Sequence, residues 1–315
     1  MTSQLTKDTL KGNWGTLLLP IDRNDRIDLQ MLGDEIDYYI TAKLDGIYSN
    51  GSAGEFHNQT ESEFDAINAL LSEKCHQAGF PFQIGVSHMS PVISKERLRR
   101  SIPLKPSAFQ VILPDWVVLN EKEQLDYFWT LSEMALPIPL VLYNPPHSKL
   151  LLKPVDYDRL AKVIPGLIGI KVAMGDEVWM REMKKVASQM AVFVPGHHLA
   201  TGIREGIGKG AYSNVACLSP KGSQKWYEMM QGDLEEALEI ERKIQAFFAQ
   251  CLLPFQKAGY SNPALDKLLA GIGGWSRIGN RLRWPYQGIP ETEIPPLRKA
   301  AKRLLPSFFF MIDDG

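Results

Sequence analysis

Short apolar stretches alternate along the chain with longer segments in which apolar residues recur at helical spacing. The apolar stretches are rich in Val, Ile and Leu and occupy eight places, which are residues 15–21, 44–51, 81–87, 108–114, 138–144, 167–173, 191–196 and 211–217. Between most of them lie segments with helical periodicity, such as residues 28–43, 60–79 and 121–136. The pattern therefore predicts eight strands that alternate with helices.

The apolar stretches are continuous, which is typical of parallel strands that are covered on both faces. Their starts recur roughly every 20 to 35 residues, which is the length of one strand and one helix together. Eight such units favour a closed TIM (β/α)8 barrel, of the α/β class, over an open parallel sheet.

The C-terminal part of the chain contains no stretch that predicts a further strand. Residues 232–253, 262–275 and 295–305 instead have the pattern of helices. We therefore predict a barrel over residues 1–221 and a C-terminal helical segment, residues 222–315, packed on the barrel.

Composition narrows the class of protein. The chain has 315 residues, of which 44% are hydrophobic and 23% charged, and a formal net charge of -1, so neither nucleic acid nor a membrane surface is an expected partner. No apolar run approaches the roughly 18 residues of a membrane helix, and the first residues lack the apolar core of a secretory signal. We expect a cytoplasmic protein, in which the basic stretch 277–285 is solvated or lies between helices.

Cysteine and histidine spacing gives no sign of a metal site. Cys75, Cys217 and Cys251 are too widely spaced for a zinc site or a disulfide framework and are expected to be buried. His197 and His198, as neighbours on a strand, would point to opposite faces. The glycine-rich residues 206–210 precede a predicted strand, so we interpret them as a turn and expect no phosphate loop.

Lys171 departs from the apolar pattern, because it stands at the end of the sixth predicted strand, in the sequence LIGIK. Function in a TIM barrel belongs to the C-terminal ends of the strands. Burial there disfavours the ammonium form, and a neutral amine can attack a carbonyl to form a Schiff base. The alternative is a lysine that reaches solvent or pairs with a carboxylate.

Two further elements would lie close to Lys171. Tyr143 ends the preceding predicted strand, in LYNPP, and its phenol could exchange protons with a substrate. The loop GSAGE, residues 51–55, carries two glycines and Ser52, so its backbone amides and hydroxyl could hold a carboxylate. Each element alone is more often packing or turn chemistry.

In combination, these features resemble the superfamily of dihydrodipicolinate synthase and N-acetylneuraminate lyase, which are class I, Schiff-base-forming aldolases. The resemblance rests on the order and spacing of GTLLLPI at 15–21, GSAGE at 51–55, YNPP at 143–146 and GIK at 169–171. It spans the whole barrel, and the helical C-terminal segment fits it as well.

The resemblance implies that Lys171 forms an imine with pyruvate or another 2-oxo acid and that Tyr143 is the proton shuttle. Ser52, with the loop amides around Ala53, would hold the substrate carboxylate, and Thr16 would also belong to the binding site. Glu55 would support the loop. The lysine would serve as electron sink without a metal or cofactor, in a homo-oligomer that is a tetramer or a dimer.

The chain departs from a typical dihydrodipicolinate synthase in three places. Ala53 stands where a hydroxyl is usual, LPDWVV at 113–118 replaces a tyrosine pair, and Ser148 stands at about the place of a carboxylate-binding arginine. Some residues look like replacements and predict a pocket wall for an aromatic or polyhydroxylated tail, namely Trp116, His147, His197, Tyr212 and Asn214.

Three functional hypotheses follow. The first is a lyase that reversibly cleaves a hydroxylated 2-oxo acid by an aldol reaction through an imine at Lys171. The second is a dehydratase of a 2-oxo sugar acid that begins with the same imine. The third belongs to another class, a non-catalytic sensor that binds a 2-oxo acid, but a sensor has no need of an imine-forming lysine.

Overall fold

Eight parallel strands close into a barrel in the order in which they occur along the chain, in a computed structural model that describes residues 4–309. The strands are β1 (Gly12–Thr16), β2 (Gly46–Ser49), β3 (Phe82–Gly85), β4 (Ala108–Val111), β5 (Leu140–Tyr143), β6 (Leu167–Lys171), β7 (Ala191–Phe193) and β8 (Gly208–Tyr212). β1 pairs with both β2 and β8, which closes the sheet. The predicted TIM barrel is confirmed.

Helices follow the strands on the outside of the barrel and continue after it. They are α1 (Leu29–Thr41), α2 (Glu61–Ala78), α3 (Pro91–Ser101), α4 (Glu121–Ala135), α5 (Pro154–Val163), α6 (Glu177–Ala187), α7 (Leu199–Arg204), α8 (Asn214–Leu218), α9 (Pro220–Met229), α10 (Leu234–Cys251), α11 (Leu253–Lys257), α12 (Asn262–Gly273) and α13 (Ile294–Leu304). The helices predicted at 28–43, 60–79 and 121–136 correspond to α1, α2 and α4. Two of these begin with a reciprocal cap: the pair Thr60 and Glu63 opens α2, and Asn120 and Glu123 open α4.

Two strands lie earlier than the apolar pattern predicts. β1 ends at Thr16, and residues 17–21 form a buried connection whose apolar character reflects burial and not strand pairing. β8 begins at Gly208, inside the stretch that we interpreted as a turn. A Cβ on Gly210 would lie 2.4 Å from the carbonyl oxygen of Gly12, so this strand needs glycine where the sheet closes.

The barrel interior is largely aromatic. Trp14, Tyr48, Phe193 and Tyr212 form a buried cluster, and the rings of Phe193 and Tyr212 lie 4.7 Å apart between centroids. Aromatic rings fill the space inside the strands up to the C-terminal mouth. These rings therefore supply much of the packing inside the barrel.

The C-terminal helices cover the barrel and share its main hydrophobic core. α10, α12 and α13 occupy the three segments predicted as helices, and buried residues of α12 such as Leu268 belong to the same cluster as Leu142 of β5. The predicted boundary between residues 221 and 222 falls within α9. The division into barrel and C-terminal segment stays a prediction, and residues 310–315 of that segment lie outside the described residues.

Two predictions about residue classes can be compared with the structure. Cys75, Cys217 and Cys251 are all buried and unpaired, as expected. Across residues 4–309, none of the helices is long and apolar enough to cross a membrane.

Candidate active site

A cavity of about 540 Å³ opens at the C-terminal end of the strands, between the barrel mouth and helices α10 to α12. Eight of the predicted site residues line it, which are Thr16, Ser52, Ala53, Tyr143, Lys171, His197, Tyr212 and Asn214. Function in a TIM barrel is found at this end, so the cavity is the candidate active site.

Lys171 is the last residue of β6 and is half-buried at the base of the cavity. Its partner across the sheet is Tyr143 at the end of β5, and Lys171 Nζ lies 4.1 Å from the centroid of that ring. The rings of Tyr48 and Tyr212 are farther from Nζ, at 5.5 and 5.3 Å. Burial lowers the pKa of Lys171 to about 8, which leaves a substantial neutral fraction near neutral pH.

Tyr143 is almost fully buried, and burial raises the pKa of its phenol to about 12. The hydroxyl of Ser52 next to the phenol opposes this rise. The phenol is therefore protonated at neutral pH and can donate a proton to a group beside Lys171.

The loop of residues 51–55 is held in place by two residues with left-handed backbone and by a buried ion pair. Asn50 and Glu55, at either end, have φ of 55° and 47°. Glu55 Oε1 accepts a hydrogen bond from Lys267 Nζ of α12 at 2.7 Å, and both side chains are buried. Ser52 and Ala53 between these anchors line the cavity. Glu55 thus supports the loop from behind.

Thr16 and Tyr212 enter the cavity from the ends of β1 and β8. The carbonyl of Thr16 accepts a hydrogen bond from Tyr39 Oη at 3.0 Å, which ties the strand end to α1. Tyr212 Oη donates to Gln83 Oε1 inside the barrel at 2.7 Å. Because its hydroxyl is engaged below, Tyr212 presents mainly its ring to the cavity.

His197 and His198 lie in a short 3₁₀ turn, Gly196–His198, that follows β7. Both line the cavity, and their ring centroids are 4.4 Å apart. The expectation that they would point to opposite faces is wrong, because the strand ends at Phe193 and the turn does not alternate its side chains.

These two histidines are neutral hydrogen-bonding groups. Burial lowers the pKa of His197 to about 4 and also lowers that of His198. Asn214, at the start of α8, donates from Nδ2 to His197 Nδ1 at 2.9 Å, and Gln245 of α10 donates to His198 Nδ1 at 3.0 Å. Because Nδ1 of each ring accepts a hydrogen bond, each neutral ring carries its proton on the other nitrogen, Nε2.

Trp116 and His147 do not line the cavity. Trp116 is 78% exposed, and its ring lies 5.1 Å from Lys149 Nζ on the loops that follow β4 and β5. His147 is exposed on the second of these loops. These two residues are therefore not part of the cavity wall within this chain, and their contact with a substrate stays a prediction.

Sequence reasoning missed Asp266, which lines the cavity from α12. Burial raises the pKa of its carboxyl to about 7, and the charge of Lys171 opposes this rise. The available sequence signal was the pair Asp266 and Lys267 in the otherwise apolar run PALDKLLAGIGG. Gln245 was missed as well, because its helix carries many polar residues and nothing marks the one that faces the barrel.

A metal would need a cluster of ligands that the described part of the chain does not provide. Across residues 4–309, no group of three or more His, Cys, Asp or Glu side chains is placed to hold a metal ion.

The sequence of the chain is similar to that of a known protein family. The sequence profile of the dihydrodipicolinate synthetase family matches residues 9–304. An N-acetylneuraminate lyase of Rhizobium meliloti (strain 1021) is 24% identical over an alignment of 309 residues, with coverage of 94% of this chain and 96% of the relative. A 4-hydroxy-tetrahydrodipicolinate synthase of Bartonella bacilliformis is 24% identical over 286 residues, covering 90% of this chain and 94% of the relative.

Solved structures show the same fold. One is a prophage protein of the dihydrodipicolinic acid synthase family from E. coli K12 in complex with pyruvate, with a TM-score of 0.82, 21% identity and coverage of 94% of this chain and 98% of that one. Another, from Clostridium difficile in complex with mannosamine, has a TM-score of 0.80 at 18% identity and covers 95% and 99% of the two chains. The resemblance inferred from the motifs is confirmed: the chain belongs to the dihydrodipicolinate synthetase family, and it is an enzyme, a lyase of the class I aldolase type.

Proposed function

We propose that this enzyme forms a Schiff base between Lys171 and pyruvate or another 2-oxo acid and reversibly cleaves a hydroxylated 2-oxo acid by an aldol reaction. The observation that carries the proposal is the placement of Lys171, a half-buried amine with a pKa of about 8 whose Nζ lies 4.1 Å from the ring centroid of Tyr143. A nucleophilic amine and a proton donor thus share one end of the barrel.

The first steps follow from these two groups. The neutral amine of Lys171 attacks the 2-oxo carbon and gives a carbinolamine. Tyr143 donates a proton to the carbinolamine oxygen, which leaves as water while the imine forms, and the phenol regains its proton in the reverse step. Ser52 and the loop of residues 51–55 would hold the carboxylate next to this carbon.

The far wall of the cavity favours a hydroxylated, uncharged tail on the substrate. His197, His198, Asn214 and Gln245 offer neutral donors and acceptors there. Among the described residues that line the cavity, Lys171 is the only lysine or arginine, so a second carboxylate would find no cation of its own. A polyol chain would instead satisfy these hydrogen-bonding groups.

The relatives support a 2-oxo acid and a polyhydroxylated tail as parts of the substrate. Proteins of the same fold were solved with pyruvate and with mannosamine, which are a 2-oxo acid and a polyhydroxylated amine. We carry over the class of compound and not the individual molecules.

We further propose a cytoplasmic homo-oligomer, a tetramer or a dimer. Trp116, Val117 and Val118 form an exposed apolar patch on the loop after β4, with exposed fractions of 78, 71 and 45%. A patch of this kind is typical of an interface. Light scattering coupled to size-exclusion chromatography tests the assembly, and Trp116→Ser with Val118→Ser should reduce its mass if the patch is buried there.

Reductive trapping tests the proposed chemistry. We expect that incubation with pyruvate and borohydride leaves a stable adduct on the peptide that contains Lys171, while exposed Lys184 serves as an internal control and stays unmodified. An unmodified Lys171 across pyruvate and a panel of 2-oxo sugar acids would contradict the proposal. Product analysis then separates cleavage, which releases pyruvate and an aldehyde, from dehydration, which gives a single product.

A further inference from the structure

The carboxyl group of Asp266 has no role in the steps described so far. It lies on α12, the helix that covers the barrel mouth, and reaches the same cavity as Lys171. Among the described residues that line the cavity, Asp266 is the only carboxylate. Asp266 is half-buried, and a carboxyl group that is withdrawn into a cavity without a hydrogen-bonding partner is a candidate for contact with substrate.

The structure leaves Asp266 unpartnered within residues 4–309. Its carboxylate makes neither a side-chain hydrogen bond nor an ion pair within 4.0 Å, and it acts on Lys171 only through its charge across the cavity. Lys267, the next residue of the same helix, turns away from the cavity to Glu55. Both groups line the cavity, so a substrate held there has access to Asp266 and Lys171 together.

Resting on the proposed function, we infer that Asp266 is a second catalytic residue, which accepts the proton of the substrate hydroxyl at C4 while the bond between C3 and C4 breaks. That oxygen is separated from the imine nitrogen by four covalent bonds. A group that binds it must stand away from Lys171 but in the same cavity, as Asp266 does. Tyr143, which contacts Lys171 directly, would act at the carbinolamine, closer to the nitrogen.

The step balances without any further reactant. The hydroxyl proton moves to the Asp266 carboxylate, and the oxygen forms the carbonyl of the leaving aldehyde. The electron pair of the C3–C4 bond forms the C2–C3 double bond, and the imine nitrogen takes the former C=N pair, which gives an enamine. Solvent protonates C3, hydrolysis of the imine consumes the water that its formation released, and the proton on Asp266 returns to solvent.

The pKa values of Tyr143 and Asp266 agree with the roles of proton donor and general base, respectively. With a pKa of about 12, Tyr143 is a poor base at neutral pH, whereas the carboxyl of Asp266 titrates at about 7. The other titratable groups that line the cavity are Lys171, whose charge lowers the pKa of Asp266, and Tyr212, Cys217, His197 and His198. Cleavage needs the carboxylate, so its rate should rise with pH through about 7.

Asp266→Asn tests the inference in the full-length enzyme. Pyruvate trapping on Lys171 should persist but have its pH midpoint at a lower pH, because the charge of Asp266 raises the pKa of Lys171. With a panel of 4-hydroxy-2-oxo acids, we expect kcat for pyruvate release to fall about 100-fold or more, with a much smaller change in KM. The rise of the rate through pH 7 should also disappear. Asp266→Glu, which keeps a carboxylate, should recover part of the rate.

A matched control removes a carboxylate outside the cavity. Glu235→Gln, on the exposed start of α10, should behave like wild type. Asp266→Asn with kcat within about threefold of wild type would overturn the inference alone. A wild-type enzyme that traps pyruvate but cleaves no member of the panel would refute the proposed aldol cleavage, and the inference with it. Failure of the wild-type enzyme to trap pyruvate would instead refute the proposed function itself.

Discussion

Two lysines of this protein, the buried Lys267 and the half-buried Lys171, each face a carboxylate, but only Lys267 is in contact with its carboxylate. Lys267 Nζ lies 2.7 Å from Glu55 Oε1 and also donates to the carbonyl of Arg281 at 2.6 Å. Lys171, in contrast, has no carboxylate oxygen within 4.0 Å among the described residues and faces tyrosine rings, with Asp266 across the cavity. Two of the three donors of Lys267 are occupied, whereas the amine of Lys171 lines the open cavity.

The difference separates a structural charge pair from a chemical one. Burial lowers the pKa of both lysines, but for Lys267 the hydrogen bond to Glu55 opposes that effect directly. Lys267 is held as an ammonium by its hydrogen bond to Glu55, and an ammonium cannot attack a carbonyl. Lys171 has no carboxylate in contact to stabilise its charge, so it can lose its proton and become a nucleophile. Asp266 and Lys267 are neighbours on α12, about 100° apart around the helix, so one turn of helix serves both pairs.

The largest effect should come from removing the chemical lysine. Lys171→Met leaves no amine for an imine, so we expect turnover to fall at least about 1,000-fold and pyruvate trapping to vanish. Circular dichroism should show an intact fold. Trapping that survived in this variant would place the nucleophile elsewhere and break the comparison.

Removing the structural lysine should affect stability most. Lys267→Met leaves Glu55 buried without its counter-charge, so we expect the free energy of unfolding to fall by about 3–5 kcal/mol, measured with urea. Removing the second charge as well, with Glu55→Gln, should recover part of the loss. The exposed Lys257→Met, on α11, is the control and should change stability by less than about 0.5 kcal/mol.

Lys171→Met, in contrast to Lys267→Met, should raise the free energy of unfolding. The pKa of Lys171 falls from 10.5 in an exposed state to about 8 in the folded protein, so the charged lysine destabilises the fold. This destabilisation is complete below pH 8 and disappears as the pH rises toward 10.5. The full pKa difference corresponds to about 3 kcal/mol, but solvent in the cavity screens the half-buried amine, so the variant should be more stable than wild type by about 2 kcal/mol at pH 7. The gain should shrink by pH 10, and a loss of stability at pH 7 would show that Lys171 is structural after all.

The smallest effect is expected for the stability of Asp266→Asn. Burial raises the pKa of this carboxyl from 3.8 to about 7, so its ionisation destabilises the folded protein. The destabilisation increases between these two pH values and is complete above pH 7. That pKa already includes the attraction to Lys171, and solvent in the cavity screens the half-buried carboxyl, so we expect the variant to be more stable than wild type by about 1 kcal/mol at pH 8. The difference should vanish below pH 4, and a difference independent of pH would indicate a packing effect.

Sequence pattern was enough to predict the barrel, because each strand that is flanked by helices must be apolar along its whole length. It placed Lys171, Tyr143 and Ser52 correctly around one cavity, since strand ends meet at one mouth. It misplaced β8, because glycines at a close contact carry no apolar signal.

The missed parts depend on contacts between distant segments. Asp266 reaches Lys171 only because α12 folds back over the barrel, and the pattern of an apolar helix does not show which face meets the mouth. Trp116 follows a strand end in the sequence, yet its loop turns outward and exposes the ring to solvent. Loops lack the periodicity that fixes the direction of a side chain in a strand.

The position of α12 after all eight strands has a consequence for biosynthesis. The ribosome makes all eight strands, with Lys171 among them, before it makes the helix that carries Asp266 and the anchor of the loop at residues 51–55. A nascent chain that has emerged only through β8 therefore exposes its reactive amine in an open mouth with one wall missing. Competence for turnover should thus appear late in translation, once α12 has left the exit tunnel.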